Sequence, residues 1–224
     1  MTFSLVARCA ETGQFGVAIS SSSPAVAARC SYARAGVGAV ATQNVTDPRL
    51  GPIMLDALAD GASTQAALMA LVANGEHMDY RQVLAVNATG EAASHTGSQA
   101  LGIRSDAVSA NVAAGGNLLA NANVPDAIVD AFLKSRGHFG DRLIAALRGG
   151  LAAGGEAGPV RSAGLKIVDG VSWPVADLRC DWTDACPIEA VAQAWAVYKP
   201  QLEAYVQRAL DPRDAPPFGV AGDP

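Results

Sequence analysis

Short apolar runs bounded by glycine turns alternate along this chain with longer stretches whose apolar residues recur at helical spacing. The first run, Met1-Thr2-Phe3-Ser4-Leu5-Val6-Ala7-Arg8, is followed by a turn at Glu11-Thr12-Gly13 and a second run, Phe15-Gly16-Val17-Ala18-Ile19. Two β-like runs around a glycine turn predict a hairpin. Ser20 to Ser23 close it, Pro24 opens an alanine-rich segment, and Val37–Gln43 reads as a third strand. Asp47-Pro48 introduces a helix with Leu50, Ile53, Met54 and Leu58 on one face, and Gly61 stands where a helix ends. Ser63 is placed to cap a second helix carrying Ala67, Leu68, Leu71 and Val72, stopped by Asn74-Gly75. The short connection predicts an antiparallel helix pair.

A β block comes next: Gln82–Val86, a turn at Asn87-Ala88-Thr89-Gly90, Glu91–Thr96, Leu101–Arg104, then Ala107–Val112 after a turn at Ser105-Asp106. Asn123 with Asp126 resembles a capped helix start. Ile128, Val129, Phe132 and Leu133 follow it, and Phe139, Leu143, Leu147 and Leu151 form a second helical series. Ser162–Val168 and Val175–Cys180 read as strands. The last helix starts near Pro187 with Glu189 in its first turn and is lined by Val191, Trp195, Tyr198, Leu202, Tyr205 and Leu210. Pro200 kinks or splits it. Asp211–Pro224, with four prolines, reads as an extended arm or a disordered end.

Blocks of strands therefore alternate with pairs of helices, unlike the strict βαβ order of a doubly wound sheet. An α+β fold is expected, a four-layer αββα sandwich of two mostly antiparallel sheets with helix pairs outside. Its 224 residues suit one domain, 1–210, followed by the tail 211–224. Gly16, Ala18, Gly38, Ala39 and Ala41 are small enough to let the two sheets approach closely.

Composition narrows the function. The chain is 50% apolar but only 5% aromatic, and its net charge is −5. No basic stripe stands out, so nucleic acid is not an expected partner. No apolar run nears the ~18 residues of a membrane span, and the start lacks a signal-peptide pattern. A soluble cytoplasmic protein is expected. Cys9, Cys30, Cys180 and Cys186 form no CxxC pair and read as small buried hydrophobes. His77, His95 and His138 lack metal-ligand spacing, so neither a metal nor an organic cofactor is expected. Gly36-Val37-Gly38-Ala39-Val40-Ala41 matches a loose dinucleotide fingerprint, but it falls on a strand, not at a helix start.

The chemistry points to residue 2. If Met1 is removed, Thr2 carries a hydroxyl and a free α-amine on adjacent atoms. With a pKa near ~7.7–8, the amine can take the hydroxyl proton close to neutrality.

Thr2-Phe3-Ser4-Leu5-Val6-Ala7-Arg8, Gly16–Ser21, Arg34–Gln43, His95-Thr96-Gly97, Gly116-Asn117-Leu118-Leu119 and the Ala152–Glu156 run followed by Ser162-Ala163 resemble the bacterial domain-of-unknown-function family numbered 1028. The resemblance runs through nearly the whole chain, with Arg34–Gln43 its most specific part. It implies a fold like the N-terminal-nucleophile (Ntn) hydrolases, and an amidohydrolase cleaving a small amide or related C–N bond with Thr2 as nucleophile and base. Ser20 to Ser22, at the end of the second strand, then fall where polar support residues stand, with Ser20 and Ser22 expected to bind substrate. Gln43 and Asn117 are expected to bind substrate or donate to an oxyanion, and His95 to reach the same cleft as a catalytic group. The third strand lacks the lysine of proteasome-like enzymes. Arg34 is its nearest cation, able to hold a carboxylate substrate or lower the pKa of the amine but not to act as a base. The partner is thus a small-molecule substrate. Alanine-rich faces and the aromatic last helix also point to a homodimer or larger assembly. A retained Met1 leaves Thr2 without its amine. The alternative is then a non-catalytic ligand-binding or oligomeric scaffold that keeps the fold, or catalysis by an internal residue such as His95 or a serine.

Overall fold

A computed structural model describes residues 1–220. The predicted hairpin is β1 (Thr2–Arg8) with β2 (Phe15–Ser21). On the β2 side lie β9 (Ser162–Val168) and β10 (Pro174–Cys180), and on the β1 side β8 (Val112–Asn117) and β7 (Ser105–Ser109). The six-stranded sheet runs β10-β9-β2-β1-β8-β7. The second sheet runs β3 (Ser31–Arg34), β4 (Gly38–Asn44), β5 (Arg81–Asn87), β6 (Ala92–Thr96). Every pairing is antiparallel, and helices pack on the sheets, so the class is α+β.

Alternation along β1 sorts its side chains to two faces. Phe3, Leu5 and Ala7 join Ile128, Phe132, Leu143 and Leu147 of α4 (Val124–Lys134) and α5 (Phe139–Ala152). Trp195, on α6 (Pro187–Tyr198), enters the same cluster and donates its indole N–H to Asp141 at 2.8 Å. Val6 instead joins Val17, Ala39, Ala41, Leu84 and Val86, a cluster shared by both sheets. The far side of the smaller sheet gives Val40, Val83 and Ala85 to Met54, Leu58, Leu68 and Leu71 of α2 (Leu50–Ala59) and α3 (Thr64–Asn74). Ser63 caps α3, accepting from the Ala66 amide at 3.2 Å. Of the small residues expected between the sheets, only Ala39 and Ala41 lie there. Ala18 belongs to the helix-facing cluster. A Cβ on Gly16 would come 2.5 Å from Leu143, and one on Gly38 3.1 Å from Leu58 and 2.4 Å from the Val86 carbonyl.

The structure corrects several local expectations. Leu101–Arg104 is a loop, and Ser105-Asp106, expected as a turn, begins β7. The carbonyls of Leu101 and Ile103 accept the amides of Leu118 and Leu119, which ties the loop down without a ladder. Asp106 belongs on the strand because its carboxylate accepts the hydroxyls of Ser94 and Thr96 across the edge. The alanine-rich stretch after Pro24 forms α1 (Val26–Cys30) and runs straight into β3, too short a pair for periodicity to reveal. Asn123 makes no side-chain cap. At Pro200 the last helix divides: α6 ends, a 3-10 turn spans Lys199–Gln201, and α7 (Leu202–Leu210) follows. Part of the tail folds back, with Arg208 donating to the carbonyls of Pro216 and Pro217 and stacking on Phe218. Its last residues, 221–224, lie outside those described. No helix among the described residues is long and apolar enough to cross a membrane.

Candidate active site at the start of the first strand

Thr2 opens β1 in the middle of its sheet, directly across from Asn117. Hydrogen bonds of an antiparallel strand point alternately to its two neighbours. The Arg8 amide bonds to Asn111 and the Cys9 amide to Gln14. By the same alternation Thr2 directs its N–H at the Asn117 carbonyl and its side chain, with Ser4 and Val6, between the sheets.

Two hydroxyls converge on the carbonyl that precedes this nitrogen. Thr2 is 6% exposed, its Oγ1 lies 3.3 Å from Ser21 Oγ, and both oxygens donate to the Met1 carbonyl oxygen. Ser21 is itself backed by a chain of donors. Ser23 Oγ lies 2.8 Å from Ser21 Oγ, and the Ser23 amide donates to the same oxygen at 3.1 Å. Arg29 Nη2 donates to Ser23 Oγ at 2.6 Å. A guanidinium has only donors. Ser23 therefore accepts from Arg29 and turns its own proton to Ser21, and Ser21 turns its proton to the carbonyl. The first turn of α1 holds Arg29 in place, for its Nη1 donates to the carbonyls of Pro24 and Ala25 at 2.5 and 3.0 Å.

Glu156 closes the other side. It follows α5 across Gly154 and Gly155, whose φ of 123° and 59° suit glycine, and forms a lone bridge with Leu119. It is 4% exposed, and its two carboxylate oxygens accept the Ser22 amide at 3.0 and 3.1 Å. Burial pushes the carboxyl up to about 7, against the opposing pull of the Ser22 hydroxyl, the positive Met1 amine and the Ser22 amide. A folded value above the ordinary one means that the buried acid favours the folded chain below about 4.5, and that this contribution is lost as pH rises through about 7. Glu156→Gln is therefore expected to gain about 1–3 kcal/mol on the wild type between pH 5 and pH 8. Urea unfolding of both proteins at the two pH values measures this, and an equal gap at both would contradict it.

Beneath Thr2 runs a buried relay of amides. Ser4 Oγ donates to Gln43 Oε1 at 2.7 Å, and Gln43 Nε2 to Gln82 Oε1 at 2.7 Å and the Gly115 carbonyl at 3.2 Å. Gln82 Nε2 faces Thr96 Oγ1 at 2.9 Å, the Ser105 carbonyl at 3.2 Å and the Gly116 carbonyl at 3.1 Å. Two carbonyls can only accept, so they fix which end of Gln82 is nitrogen. Asn117 must then give Nδ2 to Gln82 Oε1, at 3.3 Å, which leaves its Oδ1 buried without a partner. Of the two roles expected of Asn117, binding substrate or donating to an oxyanion, this arrangement suits the first, with Oδ1 as an acceptor.

The remaining expected residues divide. Gln43 lies in the relay. Ser22 supplies its amide to Glu156. Ser20 is turned to the Phe3 side, where its hydroxyl donates to the Ser162 carbonyl at 3.1 Å. His95 is on the α3 side of β6, grouped with Gln65, Leu68 and Met69, its Nε2 3.0 Å from the Met78 carbonyl. One step along the strand, Thr96 faces inward, so the two-residue period carries His95 away from Thr2. Arg34 pairs with Gly38 at the opposite end of the smaller sheet from Gln43, ion-paired to Asp56 at 2.7 Å. The cation that reaches the cluster is Arg29. Ser4, Arg29, Gln82 and Glu156 were not singled out beforehand, and Ser21 and Ser23 only as members of the Ser20–Ser23 run. A polar residue inside an apolar strand run, as at Ser4 and at Gln82 before Val83, was the available signal.

The sequence model of DUF1028, a family of unknown function, matches residues 2–191. No curated protein matches. Among solved structures, the crystal structure of protein SPO2555 from Silicibacter pomeroyi, described as DUF1028, is similar to this chain. The TM-score is 0.82 and the identity 30%, over 88% of this chain and 89% of that one.

Proposed function

The chain belongs to DUF1028, a family of unknown function, and from the geometry around Thr2 we propose that it is an Ntn amidohydrolase. In this reading its two antiparallel sheets and the helices packed on them are the four-layer αββα sandwich of that class. The observation that carries the proposal is the carbonyl preceding Thr2, held by the Thr2 hydroxyl and by a Ser21 hydroxyl backed by Ser23 and Arg29.

Opening of the Met1–Thr2 bond frees the Thr2 amine. Thr2 Oγ1 then adds to the carbonyl carbon of an amide, and its proton passes to the amine. Negative charge develops on the carbonyl oxygen where the Met1 oxygen now lies, and Ser21 donates to it. One preorganised donor of this kind is worth on the order of 10²–10³ in rate. The C–N bond breaks as the ammonium returns its proton to the leaving nitrogen. The Thr2 ester that remains is hydrolysed by water, deprotonated by the same amine, to a carboxylic acid and regenerated Thr2.

The test starts with the intact mass of protein made without an N-terminal tag. Protein lacking Met1 is then assayed against small amides. Hydrolysis that depends on the free amine supports the proposal. A verified free Thr2 with no hydrolysis of any amide would favour the scaffold reading instead. His95→Ala is expected to change kcat/KM by less than about twofold, since His95 faces α3. A tenfold loss in a folded variant would return His95 to the site.

A further inference from the structure

We propose that the acyl subsite takes an α-aminoacyl group, its ammonium held by Glu156 and Asn117, so that the substrates are amino-acid amides and short peptides with a free amino terminus. This names the substrate class of the Thr2 site and rests on the hydrolase reading above.

Met1 marks the subsite. Its carbonyl carbon is bonded to Thr2 nitrogen, and its carbonyl oxygen receives the hydroxyls of Thr2 and Ser21. Moving that acyl group from Thr2 nitrogen to Thr2 oxygen gives the same ester that attack on a substrate gives. The group preceding Thr2 therefore lies where a substrate's acyl group must lie.

The walls of this subsite ask for a donor. Asn117 is 1% exposed, faces Thr2 across the ladder, and its Oδ1 has no partner. The relay through Gln82 prevents it from turning its nitrogen inward. A buried acceptor of this kind is costly unless something donates to it. Glu156, on the other side, is bonded by Ser22 and has no basic side chain within 4.0 Å among the described residues. The nearby arginines are committed elsewhere: Arg29 to Ser23 and the α1 carbonyls, Arg161 to Thr183 and Asp184. Two acceptors, one of them a carboxyl, with no side-chain cation paired to either among the described residues, suit a primary ammonium with three donors. The Met1 amine bears on Glu156 only through space, from beyond 4.0 Å, and leaves Asn117 Oδ1 unpartnered, so both acceptors stay available to a substrate's ammonium. A Cβ on Gly158 would lie 3.8 Å from Met1 Cε, so the methionine side chain runs beside bare backbone. Met1 is 39% exposed, so a side chain of its length is accommodated by leaving the subsite along Gly158 toward solvent.

The probes are L-leucinamide and 4-methylpentanamide, which share a carbon skeleton and differ by the α-amine. Binding is read by calorimetric titration of Thr2→Ala protein lacking Met1, which needs no turnover. Leucinamide is expected to bind at least about tenfold more tightly. Adding Glu156→Gln, which keeps an oxygen for the Ser22 amide, is expected to erase that advantage. Equal binding of the two probes, or binding of neither at millimolar concentration, overturns the substrate class, and the first comparison needs no Glu156 variant to fold. In the Thr2 protein the same preference is expected in kcat/KM. Equal turnover of both amides would overturn the substrate class and leave the hydrolase standing. Selective binding without turnover would support the aminoacyl subsite and sink the hydrolase.

Discussion

Thr2→Ala is expected to lower amide hydrolysis at least about 10⁴-fold while leaving the chain folded. The hydroxyl is the bond-forming group, and nothing beside it replaces it: Ser21 Oγ is turned to the carbonyl oxygen, not to the carbon. The structural loss is small, one methyl and a hydroxyl at the first position of a strand that pairs on both sides, worth about 1 kcal/mol. Thr2→Ser keeps the nucleophile and is expected to keep measurable activity. Blocking the amine with an unremovable preceding residue should match Thr2→Ala, through loss of the base instead of the nucleophile. Kinetics on protein of verified N-terminal mass decides all three. Wild-type turnover by Thr2→Ala would end the nucleophile assignment.

Gln82→Leu is expected to cost about 3–5 kcal/mol of stability, the largest single-residue effect we anticipate away from the hydrophobic clusters. Leucine fills nearly the same volume but offers no polar atom. Gln43 Nε2 would keep only the Gly115 carbonyl, Asn117 Nδ2 would lose its acceptor, and the carbonyls of Ser105 and Gly116 would lose a donor. Each orphaned buried group costs about 1–3 kcal/mol, and partial rearrangement keeps the total below the sum. Urea unfolding measures it, and a loss under about 1 kcal/mol would show that the relay repacks freely. Activity should fall with stability, because Asn117 could then rotate and present nitrogen where the subsite needs an acceptor.

Most of the fold could be read from periodicity and punctuation. The hairpin of β1 and β2, the α2–α3 pair with its Ser63 cap, and the break at Pro200 all follow from local chemistry that tertiary packing did not override. The failures were of other kinds. At Leu101–Ile103 two apolar residues looked like strand but serve as anchors for backbone amides. At Val26–Arg34 the elements are shorter than the period that would reveal them. The site was half legible. Thr2, Gln43 and Asn117 could be named because position or strand ends singled them out. His95 and Arg34 could not be placed, because one residue of register decides which face His95 takes, and only the pairing of β3 with β4 shows at which end Arg34 lies. Glu156 was hidden in a glycine-rich connection, and its meaning appears only when that connection meets the exit of β2.

If Thr2 is the nucleophile we propose, the central position of β1 has a consequence for when its amine can be uncovered. Its neighbour β8 ends at Asn117, about 115 residues after Thr2, which the ribosome needs about 6–23 s to add. Through that interval β1 has only β2 beside it, and the Met1–Thr2 bond lacks the neighbour that the Thr2 N–H faces. Once β8 docks, Thr2 is only 6% exposed, with Met1 at the rim. In the hydrolase reading, uncovering Thr2 is therefore a race between trimming and sheet closure. Molecules that still carry Met1 after closure would be inactive, so the active fraction of a preparation is expected to follow the tempo of its synthesis.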